Sequence, residues 1–220
     1  MQKAKLTLAA ATLLVALPML QGCIPAVIVG GTVGVMSAYD RRSTGTQTDD
    51  ETREWKAAAN IPEKYKAASH INFTSFNGRL LMTGEVQSEE AKSIIGEQAR
   101  KVEGVKDVFN ETVVAPPSAL GNRSNDSYIT SKLKARLVDS NQLSANHIKV
   151  VTENTVAYLM GIVNEHEAKV AVAIARTTDG VRKVVNVMEV LPDADIKRID
   201  SMTVGGARTP PPASAPVETR

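Results

Sequence analysis

The chain has 220 residues, 43% apolar and 23% charged, with 26 basic and 24 acidic side chains. A single cysteine excludes an internal disulfide and any cysteine-cluster metal site. The small positive excess sits in Lys3 and Lys5 at the extreme N-terminus, so it is no footprint of nucleic-acid binding.

Residues 1–5 carry two positive charges and no acid, residues 6–20 form an apolar run, and Leu20-Gln21-Gly22 leads into Cys23. A charged start, a short apolar stretch and small residues before a break describe a secretory signal peptide, too short to span a bilayer. With the lone cysteine directly behind the small residue, the segment resembles a bacterial lipobox. That resemblance implies cleavage after residue 22, a diacylglyceryl thioether and an N-acyl chain on Cys23, and no other cofactor. By the sorting rules of the lipoproteins it resembles, Ile24 rather than an aspartate behind the anchor implies delivery to the outer membrane, facing the periplasm. Each buried methylene contributes ~0.8 kcal/mol and one chain alone holds weakly, so several chains make the anchor stable. Residues 24–39 are apolar but too short to cross a membrane, and they include Gly30, Gly31 and Gly34. The expectation is a flexible lipidated tether over residues 23–48, with Arg41 and Arg42 able to reach head groups.

The middle of the chain is one unit written twice. INFTSFNGRLLMTGEVQSEEAK (71–92) aligns with IKVVTENTVAYLMGIVNEHEAK (148–169) at an offset of 77, and Gly104-Val105 then aligns with Gly180-Val181. In the first copy, alternation at Ile71, Phe73 and Ser75 predicts a strand, Asn77-Gly78 a hairpin turn, and residues 80–86 the returning strand. Ser88 is a cap for a helix whose apolar stripe is Ala91, Ile94, Ile95 and Ala99, and Gly104 stops it. Val105, Val108 and Val113 supply a third strand. In the second copy the hairpin is placed at Glu153-Asn154, and the helix stripe at Ala168, Ala171, Val172 and Ala175. A helix precedes each copy. The second runs from about 128 to 139, with Ile129, Leu133 and Leu137 as its buried stripe and caps offered by residues 124–127. The first is weaker, with Trp55, Ala58 and Ala59 on one face and Pro62 cutting it short.

The Ile…Gly…Val hairpin, the Glu-Ala-Lys helix start and the Gly-Val…Val…Asn ending resemble a BON domain, and two of them behind a lipobox are similar to the dual-BON outer-membrane lipoproteins. The fold class expected is α+β: two tandem αββαβ BON domains, each a three-stranded mixed sheet with helices on one face. The expected divisions are a signal peptide over 1–22, the tether over 23–48, domains over 49–115 and 124–191, a linker over 116–123 and a disordered tail over 192–220. The tail's end, GGARTPPPASAPVETR, is too poor in large apolar groups to offset its ordering entropy.

No catalytic motif is present, so the chain reads as a binding module and not an enzyme. His70 and His147 are repeat-equivalent, but neither has a second histidine or cysteine at ligand spacing, and no metal is expected. His166 and the Glu89-Glu90 pair read as solvated helix starts. The first copy is acidic on balance and the second basic. On the helix before the second copy, Tyr128 lies nearly opposite the core stripe, beside Lys132 and Arg136. An outward aromatic flanked by cations is what an interfacial lipid contact needs. The family resemblance implies the same helix as an anionic-phospholipid site (phosphatidylglycerol or cardiolipin), together with roles in envelope integrity and at division sites. The candidate lipid residues are Tyr128, Thr130, Ser131, Lys132, Lys134 and Arg136. For these residues the alternative is a solvated face, with Tyr128 packed on the first copy or the linker. The alternative function is a periplasmic protein adaptor using the first copy's hairpin, Phe76-Asn77-Gly78-Arg79; a bare structural spacer is the third.

Overall fold

The computed structural model describes residues 40–205. Ser43 opens the first helix by accepting the Thr46 amide, and α1 runs Thr44–Ala59. Asn60 closes it, and Pro62, with no N–H to satisfy, leads into the single turn α2, Glu63–Lys66. β1 (His70–Phe76) and β2 (Arg79–Val86) form an antiparallel hairpin around Asn77 and Gly78, both at positive φ, as a two-residue turn of this kind requires. Ser88 caps α3 (Glu89–Arg100) by accepting the Ala91 amide. After Gly104 the chain returns parallel to β2 as β3 (Asp107–Asn110) and β4 (Val113–Val114). The Asn110 side chain accepts the Thr112 amide between them and splits the third strand in two.

The second copy repeats the order: α4 (Leu120–Asp139), β5 (Ile148–Glu153), β6 (Val156–Val163), α5 (Glu165–Arg176), β7 (Lys183–Asn186) and β8 (Glu189–Val190). Its turn is Asn154-Thr155, one residue later than expected, and Asn164 with Glu167 builds a capping box on α5. A last helix, α6, runs Asp193–Gly205. Each copy is therefore αββαβ, with β2 or β6 the central strand of a mixed sheet and helices covering one face.

The central strands are buried on both faces, which explains the unbroken apolar run of β6; on β2 the run of Leu80, Leu81 and Met82 is followed by Thr83 and Glu85, polar side chains that are buried as well. Side chains alternate across a strand. On β2, Leu80, Met82 and Val86 meet α3, while on β6, Ala157, Leu159 and Val163 join α4 and α5 in the second core. The opposite faces meet each other: Phe76 and Leu81 pack with Tyr158, Met160, Ile162, Val187 and Ile196. The two sheets thus stand back to back in one sandwich, with the helices of each copy on its outside.

Five expectations need correction. Residues 193–205 are helix and not disordered, because Ile196 and Ile199, three apart, enter the core between the sheets with Leu191. Residues past 205 lie outside the described part of the chain. The second copy's first helix starts at Leu120, so Ser124 to Ser127 lie inside it rather than capping it, and part of the 116–123 linker is helical. On α1 the buried residues are Asp50 and Ala57; Trp55, Ala58 and Ala59 face solvent. Arg41 and Arg42 are held on the protein body instead of reaching for head groups. The flexible tether expected over 23–48 is thus ordered from residue 40 and helical from Thr44; Cys23 and the tether up to residue 39 lie outside the described residues.

Candidate functional site

The outward face of α4 is set by its inward one. Ile129, Leu133 and Leu137 are fully buried, Leu133 and Leu137 in the core of the second sheet and Ile129 over Gly180. Thr130 is also turned inward, donating to Thr152 Oγ1 on β5 at 2.7 Å. That leaves Tyr128 64% exposed, with Lys132 Nζ 4.9 Å from its ring centre. Leu120 and Val138 are exposed on the same helix. At 100° per residue, both fall roughly 80° from Tyr128, on one side of it, so the three apolar side chains line one stripe about 27 Å long. Sequence reasoning missed Leu120 because it began the helix too late, and missed Val138 because only polar neighbours of Tyr128 were sought.

The remaining candidate residues are placed as follows. Lys132 donates to Asp179 at 2.9 Å, and that contact holds the fully exposed Asp179 carboxyl below its ordinary range. Arg136 donates to the Ile174 carbonyl and to the hydroxyls of Thr177 and Thr178, closing the C-terminus of α5. Ser131 donates to the Ser127 carbonyl one turn back. Lys134 is exposed and makes no ion pair among the described residues. Lys132 and Lys134 therefore flank the stripe on opposite sides.

Each first helix also fastens its own hairpin. Asp50, 1% exposed, accepts the amides of Asn77 and Gly78 and the Ser75 hydroxyl, and pairs with Arg42 and Arg53. Burial pushes its carboxyl up, but these donors outweigh it and hold the group below the usual range. Asp126 accepts the amides of Asn154 and Thr155 in the same way. Arg41 locks the chain entering the first copy onto the second: it donates to the Ile162 carbonyl, to both oxygens of Glu167 and to Asp200. Burial pushes Glu167 up; His147 at 3.6 Å, Arg41 and the Asn164 amide bring it down to about 2.

At the other end of the contact between the sheets, Glu153 Oε2 accepts from Asn72 and Thr83 of the first copy. Two residues along, His70 Nδ1 lies 3.0 Å from Glu85 Oε2. Tyr158, buried on the same face, is pushed well above its ordinary value by burial first and then by the Glu111 and Glu153 carboxylates.

The back-to-back αββαβ pair, with its repeated aspartate clamp and outward helix, defines the class: the chain belongs to the BON-domain family, whose profile matches residues 49–116 and 125–192. It is 39% identical over 183 residues to "Outer membrane lipoprotein DolP" of Haemophilus influenzae, covering 82% of this chain and 95% of that protein. It is 34% identical over 151 residues to "21 kDa hemolysin" of Actinobacillus pleuropneumoniae, 68% of this chain and 78% of that one. "Osmotically-inducible protein Y" of Escherichia coli is 27% identical over 183 residues, with 73% and 91% covered. The chain is an outer-membrane lipoprotein with two BON domains, similar to DolP. No helix among the described residues is long and apolar enough to cross a membrane.

Proposed function

We propose that the second BON domain binds anionic phospholipid through the outward face of α4, while acyl chains on Cys23 keep it at the bilayer. The observation that carries this reading is Tyr128: a large ring left in water, on a stripe with Leu120 and Val138, between Lys132 and Lys134. Buried in a membrane interface, such a stripe gains apolar contact while its lysines meet lipid phosphates, each worth ~1 kcal/mol near an anionic surface. Arg136 is a positioning residue here, since its guanidinium is engaged on α5. On this reading the protein is a lipid-binding module and not an enzyme, contributing to envelope integrity and to the division site as an organiser of lipid.

Cosedimentation of residues 40–220 with vesicles tests it. Binding is expected to vesicles containing phosphatidylglycerol or cardiolipin and not to neutral ones. High salt, Tyr128→Ala and the pair Lys132→Ala/Lys134→Ala should each weaken it. Equal binding by wild type and Tyr128→Ala would sink the proposal.

A protein-adaptor role for the first domain has a different surface from the one expected. Phe76 is buried beneath the Arg42 guanidinium, Asn77 donates to Glu189, and Arg79 stacks on Phe109, so that hairpin is engaged within the molecule. Trp55, 81% exposed beside a shallow groove of Ala58, Ile71 and Phe73, is what favours a partner for this domain.

A further inference from the structure

We propose that His70, Glu85 and Glu153 form a binding site for a divalent transition-metal ion of the zinc class, which ties the two BON domains together. His70 and Glu85 are cross-strand partners on β1 and β2, and Glu153 is the last residue of β5 in the other domain. One donor atom from each lies within 4.8 Å of the others. A metal at about 2.0–2.2 Å from imidazole nitrogen and carboxylate oxygen sets ligand atoms about 3.4 Å apart, so it would take the place of the His70–Glu85 hydrogen bond, part those two slightly and close the widest gap in the cluster by about 1 Å, within the reach of side-chain torsions.

Charge supports an ion here. Glu85 is 3% exposed and Glu153 8%. Among the described residues neither pairs with a lysine or arginine, and one imidazole is all that faces the two carboxylates from within the cluster. A divalent cation would balance them. The donors are also held from behind, as metal ligands are. Asn72 and Thr83 donate to Glu153 Oε2, and the Ser118 amide donates to Glu85 Oε2. A polar cavity of about 540 Å³, lined by His70, Asn72, Arg123, Asp126, Thr130 and Glu153, opens beside the cluster and has room for water in the remaining coordination positions; the Arg123 guanidinium there donates to Ser118 Oγ and forms no ion pair with either glutamate.

Duplication does not account for the cluster. At the repeat offset, His70 corresponds to His147, but Glu85 corresponds to Ile162 and Glu153 to Phe76. Both carboxylates are peculiar to this end of the contact between the sheets. His70 looked isolated in the sequence because its neighbours come from a paired strand and from the other domain. One imidazole with two carboxylates suits zinc or manganese better than magnesium, which keeps its waters and takes oxygen donors.

The test uses the full chain in detergent, stripped with EDTA and titrated with zinc chloride by calorimetry. One equivalent of zinc should bind per chain and raise the melting temperature by a few degrees, roughly as ligand linkage predicts. His70→Ala and Glu153→Gln should each weaken binding by more than about tenfold, since loss of supporting residues alone costs that much at metal sites. His166→Ala, on an exposed histidine, should leave it unchanged. Glu153→Gln keeps the shape of the side chain and the acceptor for Asn72, so it guards against a misfolded His70→Ala chain. Absence of saturable zinc binding, or equal binding by both variants, overturns the site.

Discussion

The first helices of the two copies are the same part with different outer surfaces. At an offset of 76, Asp50 matches Asp126, and each clamps its own hairpin turn. Arg53 packs over Gly104 as Ile129 packs over Gly180. Lys56 pairs with Glu103 as Lys132 pairs with Asp179. The Lys132 contact is thus an inherited feature of the fold. What is not inherited is Tyr128, which stands where the first copy has Thr52, and Trp55, which stands where the second has Ser131. In a duplicated chain the shared contacts belong to the architecture, and specialisation is to be sought where the copies part.

The hardest test of the shared architecture is at Gly84 and Gly161. A Cβ at Gly84 would lie 2.0 Å from the His70 carbonyl oxygen, and one at Gly161 would lie 2.3 Å from that of His147. Neither backbone can give way easily, because the His70 carbonyl opens β1 and the His147 carbonyl ends the short 3-10 turn (Ala145–His147) that leads directly into β5. Gly84 has φ +105 in addition, a conformation that costs a side chain about 1–3 kcal/mol. Gly84→Ala should therefore lower stability by more than about 4 kcal/mol in urea unfolding, and Gly161→Ala by less. The reverse order would mean that the backbone of the first hairpin is the softer of the two.

The aspartate clamps come next. Asp50→Ala leaves two turn amides and a hydroxyl without their acceptor and takes one carboxylate from each of Arg42, which keeps Asp40, and Arg53, a loss of about 3–5 kcal/mol for a buried charged partner. Asp126→Ala exposes only two amides and should cost about 1–3 kcal/mol. Equal losses from the two would show that Arg42 and Arg53 add nothing to the first clamp.

Much of this was legible in the sequence. The period-2 and helical stripes placed strands and helices, the hairpin glycine and asparagines marked turns, and the repeat fixed the domain count. Burial of β2 and β6 on both faces was not read from the sequence, and even the apolar run of β6 cannot say what covers the second face. That is a contact between distant segments, and Glu153 reaching Asn72 and Thr83 has no local trace. The aspartate clamp could have been found by extending the repeat alignment upstream, with the offset changed by one. Helix α6 was hidden by its polar composition; two isoleucines suffice because the sheets already supply a floor for them.

Acid titration separates another repeated pair, Glu90 and Glu167. Glu90 is exposed on α3, and the Tyr65 hydroxyl and Lys64 lower its carboxyl. Glu167 is nearly enclosed by Arg41 and lowered to about 2 from an ordinary 4.5. A carboxyl depressed in the folded state stabilises above its unfolded pKa, and that contribution disappears as pH falls through the folded value. The Glu167 contribution, about 3 kcal/mol at most, should therefore be complete above about pH 5 and gone near pH 2. Glu167→Gln should flatten the fall in melting temperature over that window, and Arg41→Ala should do so in part. Glu90→Gln should leave it nearly unchanged. A profile indifferent to Glu167 would mean that the lock between tether and second domain opens before acid reaches it.

The smallest effect on stability carries the most about function. Tyr128→Ala and Trp55→Ala each remove an exposed ring that supports no core, so each should change unfolding free energy by less than about 0.5 kcal/mol. Their consequences for binding should differ. The Tyr128 ring belongs to a stripe with Leu120 and Val138 and lies in the basic copy, so its loss should remove most binding to anionic vesicles. Trp55 stands beside Glu51 and Glu54 in the acidic copy, where an anionic surface is repelled, and its loss should leave vesicle binding intact. If Trp55→Ala weakened lipid binding as much as Tyr128→Ala, both copies would have to meet the bilayer, and the assignment of lipid binding to the second domain alone would fall.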